Sequence, residues 1–237
     1  MVHANVSDDT DDRSLASRLF GWARGTDAGH ADGSRDAGPP MATKALGKFV
    51  KALAGRPTAS ILDLGPVVGA NVAFFGEELG CRLQVEDLYA DLERHAAPPT
   101  LETLPAFLES RLTHAPDSFD GVLCWDVFDY LDKPAAKALA ASVVARLKPG
   151  GLLMAFFQTQ ANTAASYTKY VIADAGHLQH RTYGASHGRR TVFQNRDIER
   201  LFPGLTVTDS FLMLNRTREV LLRKRVPTSP AASSASA

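Results

Sequence analysis

The sequence predicts a doubly wound α/β domain with a mostly parallel sheet, and three stretches carry that prediction. Ser60 to Leu88 reads as strand, glycine-bearing turn, helix and strand. Ser118 to Asp126 reads as a strand buried on both faces. Between Leu147 and Phe157 a helix stop, Lys148-Pro149-Gly150-Gly151, runs directly into another apolar strand. Apolar strands alternating with helical patterns are what a parallel sheet covered on both faces requires.

Residues 1 to about 40 are rich in Asp, Gly, Ala and Ser and read as a flexible segment, with a linker from Gly25 to Pro40. Within it Leu15, Leu19, Phe20 and Trp22 suggest a short helix that folds onto the domain, or serves as a lid or a docking helix. The main domain is expected over 41–226. Met41 to Leu53 reads as its first helix, with Ala45, Phe49 and Leu53 on one face, lysines on the other and a stop at Gly55-Arg56-Pro57. Ile61-Leu62-Asp63-Leu64 is a short strand ending in a carboxylate, followed by a turn from Gly65 to Gly69. Val72, Phe75 and Leu79 then fall at helical spacing before Gly80, and Arg82 to Glu86 is the next strand, ending in Glu86 and Asp87. A turn between a strand end and a helix start leaves main-chain N–H groups open to a ligand, and glycine leaves room for it.

Tyr89 to His95 reads as a short helix stopped at Pro98-Pro99, and Leu104, Phe107, Leu108 and Leu112 set a second helical stripe. No strand pattern occurs between Asp87 and Ser118, so the sheet is expected to lack a strand there. After the Ser118–Asp126 strand, Asp132 is placed to cap a helix carrying Pro134 in its first turn, with Ala136, Leu139, Ala140, Val143, Val144 and Leu147 as its core stripe. Residues 158–194 read as an insertion holding a hairpin, Tyr167–Ala173 and Leu178–Tyr183 across Asp174-Ala175-Gly176. Asn195 is expected to cap a helix bearing Ile198, Leu201 and Phe202. Leu205–Leu212 and Glu219–Arg223 are the closing strands, the last of them antiparallel, and 227–237 reads as a disordered tail.

The chain has 237 residues with 26 basic and 26 acidic side chains, a balance that argues against a general nucleic-acid or membrane-surface protein. Its two cysteines, Cys81 and Cys124, fall in or beside strands and make no disulfide framework. The N-terminus lacks a basic region and apolar core of a signal peptide, and no apolar run reaches membrane-spanning length. A cytoplasmic protein is the expectation.

The strand, turn and acid from Asp63 to Asp87 resemble motif I of the class I S-adenosylmethionine-dependent methyltransferases. Asp63, Gly65 and Gly69 match its acid and its first and third glycines, while Val67, preceded by Pro66, replaces the middle glycine. The Leu147-to-Leu153 junction is also common in that family. The resemblance implies a Rossmann-like fold, S-adenosylmethionine as cofactor and methyl transfer to a small-molecule or otherwise unidentified acceptor. It further implies that Asp63, Gly65 and Gly69 hold the cofactor's methionine end, and Glu86 or Asp87 its ribose. Asp126 and Phe128 would lie near the transferred methyl group, and the insertion would build acceptor recognition.

Methyl transfer from a sulfonium needs alignment and sometimes a general base, so the absence of a catalytic triad excludes little. Asp126 and Asp129 are the candidate catalytic residues, each able to act as base or acceptor anchor, or merely to cap the following loop. His177, His180, Arg181, His187, Arg189 and Arg190 form the most basic segment, suited to an acidic acceptor or simply a solvated loop. No cysteine or carboxylate pair completes a metal site with those histidines. Two readings from different classes follow: a methyltransferase, or a catalytically inactive methyltransferase-like binding or regulatory module favoured by Val67 and the absent strand. A dehydrogenase fits less well, because the glycine spacing is not a dinucleotide fingerprint.

Overall fold

Apolar strand segments separated by helices give the chain a six-stranded sheet. The computed structural model describes residues 38–56, 58–95, 100–162 and 164–227; the expected N-terminal helix, the Pro98-Pro99 stop and nearly all of the tail lie outside them. The sheet comprises β2 (Ser60–Asp63), β3 (Arg82–Val85), β4 (Phe119–Trp125), β5 (Leu147–Gln158), β8 (Leu205–Leu212) and β9 (Thr217–Lys224), in the order β3-β2-β4-β5-β9-β8. The first four run parallel, and β9 lies antiparallel between β5 and β8. Every residue of β4 is buried, as its unbroken apolar pattern requires of a central parallel strand, whereas edge strand β8 alternates between covered and exposed positions.

Successive residues along the strands belong to two separate cores, as the alternation of side chains across a strand demands. Leu62, Val122, Leu153 and Leu222 pack on one face with α3 (Leu88–Arg94), α4 (Thr100–Arg111), α5 (Lys133–Arg146) and α6 (Asn195–Leu201). Ile61, Leu123, Met154 and Leu221 pack on the other with α1 (Ala45–Leu53) and the segment after the glycine turn. Between β3 and β4 the described residues hold only α3 and α4, so the strand missing from the sequence pattern is missing from the sheet. Asp132 caps α5 as expected, its carboxylate accepting the Ala135 N–H at 2.9 Å.

Four local expectations are corrected. The helix expected from Met41 starts at Ala45, because the Glu219 carboxylate on β9 accepts the N–H groups of Lys44 and Ala45 at 2.9 Å each. Met41–Ala42 (β1) instead pairs with the hairpin. The helix after the turn, α2 (Gly69–Ala73), passes into a π turn over Phe74–Glu78. That widened turn brings Phe74 and Phe75 both inward, Phe75 against Phe49, and leaves Val72 and Leu79 each 38% exposed. The cap of α6 is Gln194, in a reciprocal capping box with Asp197, and Asn195 is the first helical residue. The fourth concerns Phe128, whose side chain is fully buried in the core.

The insertion is a hairpin of β6 (Ser166–Asp174) and β7 (His177–Gly184), which with β1 makes a second sheet in the order β1-β7-β6. Asn71 of α2 ties this sheet to the domain. Its buried amide donates to the Tyr170 carbonyl at 2.9 Å and accepts the Ile172 N–H at 2.8 Å, taking the place of a neighbouring strand on the free edge of β6.

Candidate functional site

The carboxyl ends of β2, β3 and β4 meet at the turn that follows β2, the crevice in which open α/β sheets hold their ligands. Asp63, the last residue of β2, is 1% exposed. One of its oxygens accepts the Gly65 N–H at 2.8 Å and the indole Nε1–H of Trp125 at 2.6 Å. Burial pushes the carboxyl up to about 6, and the two hydrogen bonds hold it from rising further. The first bond ties the acid to its own turn, and the second joins it to the end of β4.

Trp125 ends β4 with a φ of 48°, a left-handed conformation that a bulky residue rarely takes. Its indole lies parallel to the Tyr170 ring, centroids 5.3 Å apart, with the edge of Phe156 at 5.7 Å. A Cβ at Gly65 would stand 2.6 Å from Trp125 Cδ1 and 2.8 Å from Nε1, whereas at Gly69 it would meet nothing within 4 Å. Glycine at 65 is therefore required here to admit the indole. Val67, in the middle glycine's place, is 37% exposed.

The two acids after β3 diverge. Glu86 pairs with Arg111 at 2.7 Å and lies 3.5 Å from His114 Nε2. Asp87 caps α3 by accepting the Ala90 N–H at 3.2 Å. Arg111 also holds Asp91 at 2.6 Å, so Glu86 is drawn toward α4 and Asp87 is the acid with the lighter internal engagement.

Asp126 and Asp129 are both fully buried. Asp126 accepts hydrogen bonds from the Tyr89 hydroxyl, from Arg189 Nη2 at 2.6 Å and from the Tyr130 hydroxyl at 3.5 Å. Burial and then the charge of Asp126 raise the Tyr89, Tyr130 and Tyr170 hydroxyls, so all three remain proton donors. Burial opposes the charge on Arg189, but Asp126 and the tyrosines more than offset it and hold the guanidinium protonated. Asp129 accepts the Gln158 N–H at 2.8 Å with one oxygen, while the other has no partner among the described residues. Burial, reinforced by the charge of Asp126, drives its carboxyl well above the ordinary range, against the pull of the Gln158 N–H and Arg189.

Phe128, expected beside the reacting group, is a correction. The 3₁₀ turn Val127–Tyr130 directs its ring into the core, 6.2 Å from Phe157 and 5.1 Å from Phe202. Asp63, Gly65 and Trp125 are brought together, Asp126 is drawn to Tyr89, Tyr130 and Arg189, and Glu86 is turned away to Arg111. Sequence reasoning missed Trp125, Tyr170, Asn71 and Tyr89. It noted Arg189 only as part of a basic segment, with no signal that this one side chain points inward.

The chain belongs to the family described as Methyltransferase domain, whose profile matches residues 41–205. That family uses S-adenosylmethionine. Among solved structures the chain is similar to 1,6-didemethyltoxoflavin-N1-methyltransferase of Burkholderia thailandensis, solved with 1,6-didemethyltoxoflavin and S-adenosylhomocysteine bound. The match has 18% identity over 95% of this chain and 94% of that one, at a TM-score of 0.49. It is also similar to DesVI of Streptomyces venezuelae, with 18% identity over 91% of this chain and 99% of that one, at a TM-score of 0.45. No curated protein sequence matches the chain. Among the described residues, no helix is long and apolar enough to cross a membrane.

The residues at the crevice do not fit the whole of that cofactor in this conformation. The donor set is suitable, with a buried carboxylate at the turn and acids at the end of β3. The space is not, because the indole of Trp125 covers Gly65 and shares the oxygen of Asp63.

Proposed function

We propose that the domain over 41–226 carries out S-adenosylmethionine-dependent methyl transfer to a small-molecule acceptor. In this reading Asp63 and the turn Gly65–Gly69 bind the methionine end, Asp87 or Glu86 binds the ribose, and the 158–194 insertion contacts the acceptor. The observation that carries it is the meeting of Asp63, the turn and Asp87 at the carboxyl ends of adjacent parallel strands in a chain of this family. Asp129, buried and accepting the Gln158 N–H, serves here as a positioning residue, and Asp126 anchors Arg189. A cytoplasmic location goes with this reading, since both cysteines are free thiols.

A second reading, a catalytically inactive binding or regulatory module, is favoured by one observation: Trp125 engages the acid and the glycine that the cofactor would need. Calorimetric titration of the full chain with S-adenosylmethionine and S-adenosylhomocysteine separates the two. Saturable binding of either is expected under the first reading, and at micromolar affinity would amount to about 8 kcal/mol. No heat from either ligand at millimolar concentration assigns the native chain to the second.

A further inference from the structure

We infer that Trp125 sets the affinity of the donor site, its indole standing where the methionine end of the cofactor would be held, so that donor binding requires the indole to leave Asp63. This rests on the reading that Asp63 and the turn receive that end. The methionine end carries an ammonium, whose N–H groups would seek the buried carboxylate at the turn. The indole Nε1–H already makes such a bond, at 2.6 Å, to the oxygen that also accepts the Gly65 N–H at 2.8 Å. Two N–H donors fill the acceptor capacity of that oxygen and leave an incoming ammonium only the other oxygen of the carboxylate. The competition is also steric. The side of Gly65 left bare by its missing side chain is filled by Trp125 Cδ1 and Nε1, within 3 Å of where a Cβ would stand.

The indole is held in a defined seat. Tyr170 lies flat against it at an interplanar angle of 5°, and Asn71 fixes the backbone that follows Tyr170, bonding the Tyr170 carbonyl and the Ile172 N–H on either side of Val171. The insertion therefore supplies the wall that keeps Trp125 over the turn. Against this seat stands the backbone of Trp125 itself, left-handed at φ 48°, which a residue with a large side chain adopts only under constraint. A buried indole N–H needs an acceptor, and this one finds it in the acid of the ligand-binding turn. This one takes the acid, the glycine and the end of the central strand together.

The test compares the full wild-type chain with Trp125→Gly and Trp125→Phe by calorimetric titration. Glycine suits the positive φ and removes the side chain; phenylalanine keeps a ring but loses the N–H donor, so it carries the same sign if the glycine variant fails to fold. The ligands are S-adenosylhomocysteine and adenosine, which lacks the methionine end. The expected result is a Kd for S-adenosylhomocysteine at least about tenfold lower in Trp125→Gly, with a smaller fall in Trp125→Phe and adenosine affinity changed by less than about twofold. Wild-type binding at micromolar Kd with neither variant tighter overturns the inference and leaves the proposed function standing. A variant that binds where the wild-type chain does not supports the inference and moves the native chain to the inactive reading. Binding by none of the three overturns both, and equal tightening for adenosine overturns the inference by showing a general loosening.

Discussion

Arg189→Ala is expected to lower the free energy of unfolding by about 3–5 kcal/mol, the cost of leaving a buried charge without its partner. The Arg189 side chain is 10% exposed and Asp126 is fully buried, and their contact is 2.6 Å. Without the guanidinium, Asp126 keeps only tyrosine hydroxyls, which bring no compensating charge. The Tyr130 ring also loses the cation lying 5.3 Å from its centroid. The loop carrying Arg189 stays tethered, because Asp129 O accepts the N–H groups of Arg190 and Thr191 and Glu93 accepts from Ser186. The loss is therefore electrostatic rather than a release of the loop. Urea unfolding should show a lower midpoint at an unchanged slope. Asp126→Asn combined with Arg189→Met should recover part of the loss, since neither charge is then buried alone. A cost below about 1 kcal/mol for Arg189→Ala would mean that solvent reaches this pair in solution.

Asp63→Asn is expected to stabilise the protein at neutral pH by up to about 3 kcal/mol and to remove a pH dependence. The carboxyl moves from an ordinary value of 3.8 to about 6 in the native state, chiefly by burial, and each unit corresponds to about 1.4 kcal/mol. An acid whose native value lies above its unfolded one holds its proton more tightly when folded. Its contribution is therefore fully present below about pH 4 and is lost as pH rises through about 6. Asparagine keeps an oxygen to accept from Gly65 and Trp125 but carries no charge to desolvate. Stability of the wild-type chain relative to Asp63→Asn, followed by urea unfolding between pH 4 and 8, should fall as pH rises. A flat difference would show that Asp63 titrates as an exposed carboxylate. Under the proposed function the same variant weakens donor binding, so stability and binding move in opposite directions, as expected of a charge kept for a ligand.

Most of the fold was legible because its signals are local. The apolar run of β4, the stop at Lys148–Gly151, the Asp132 cap and the alternation flanking Asp174-Ala175-Gly176 each act within a few residues. So does the lack of any strand pattern between Asp87 and Ser118. What escaped depends on distant partners. The start of α1 is decided by Glu219, some 174 positions away, and the inward turn of Phe74 by a π turn that apolar spacing does not encode. The site divides in the same way. Asp63, Gly65 and the β3 acids are readable as a strand–turn–helix–strand pattern. The residues that close it reach it through tertiary contacts: Tyr170 from β6, Arg189 from the loop after β7, and Trp125 through a left-handed backbone at a strand end. A basic segment looked suited to an acidic acceptor, and its Arg189 turns inward to an aspartate of the chain itself.

The most direct measurement uses Trp125 as its own reporter. The chain has two tryptophans, Trp22 and Trp125, so Trp22→Phe leaves the indole in question as the sole one. Its emission should be blue-shifted and resistant to acrylamide, as suits a side chain 2% exposed and stacked on Tyr170. On titration with S-adenosylmethionine the emission should move to the red and become quenchable, with the same midpoint as the calorimetric heat. Saturating binding with the emission still blue and protected would show that donor and indole do not share a place, and would contradict the account.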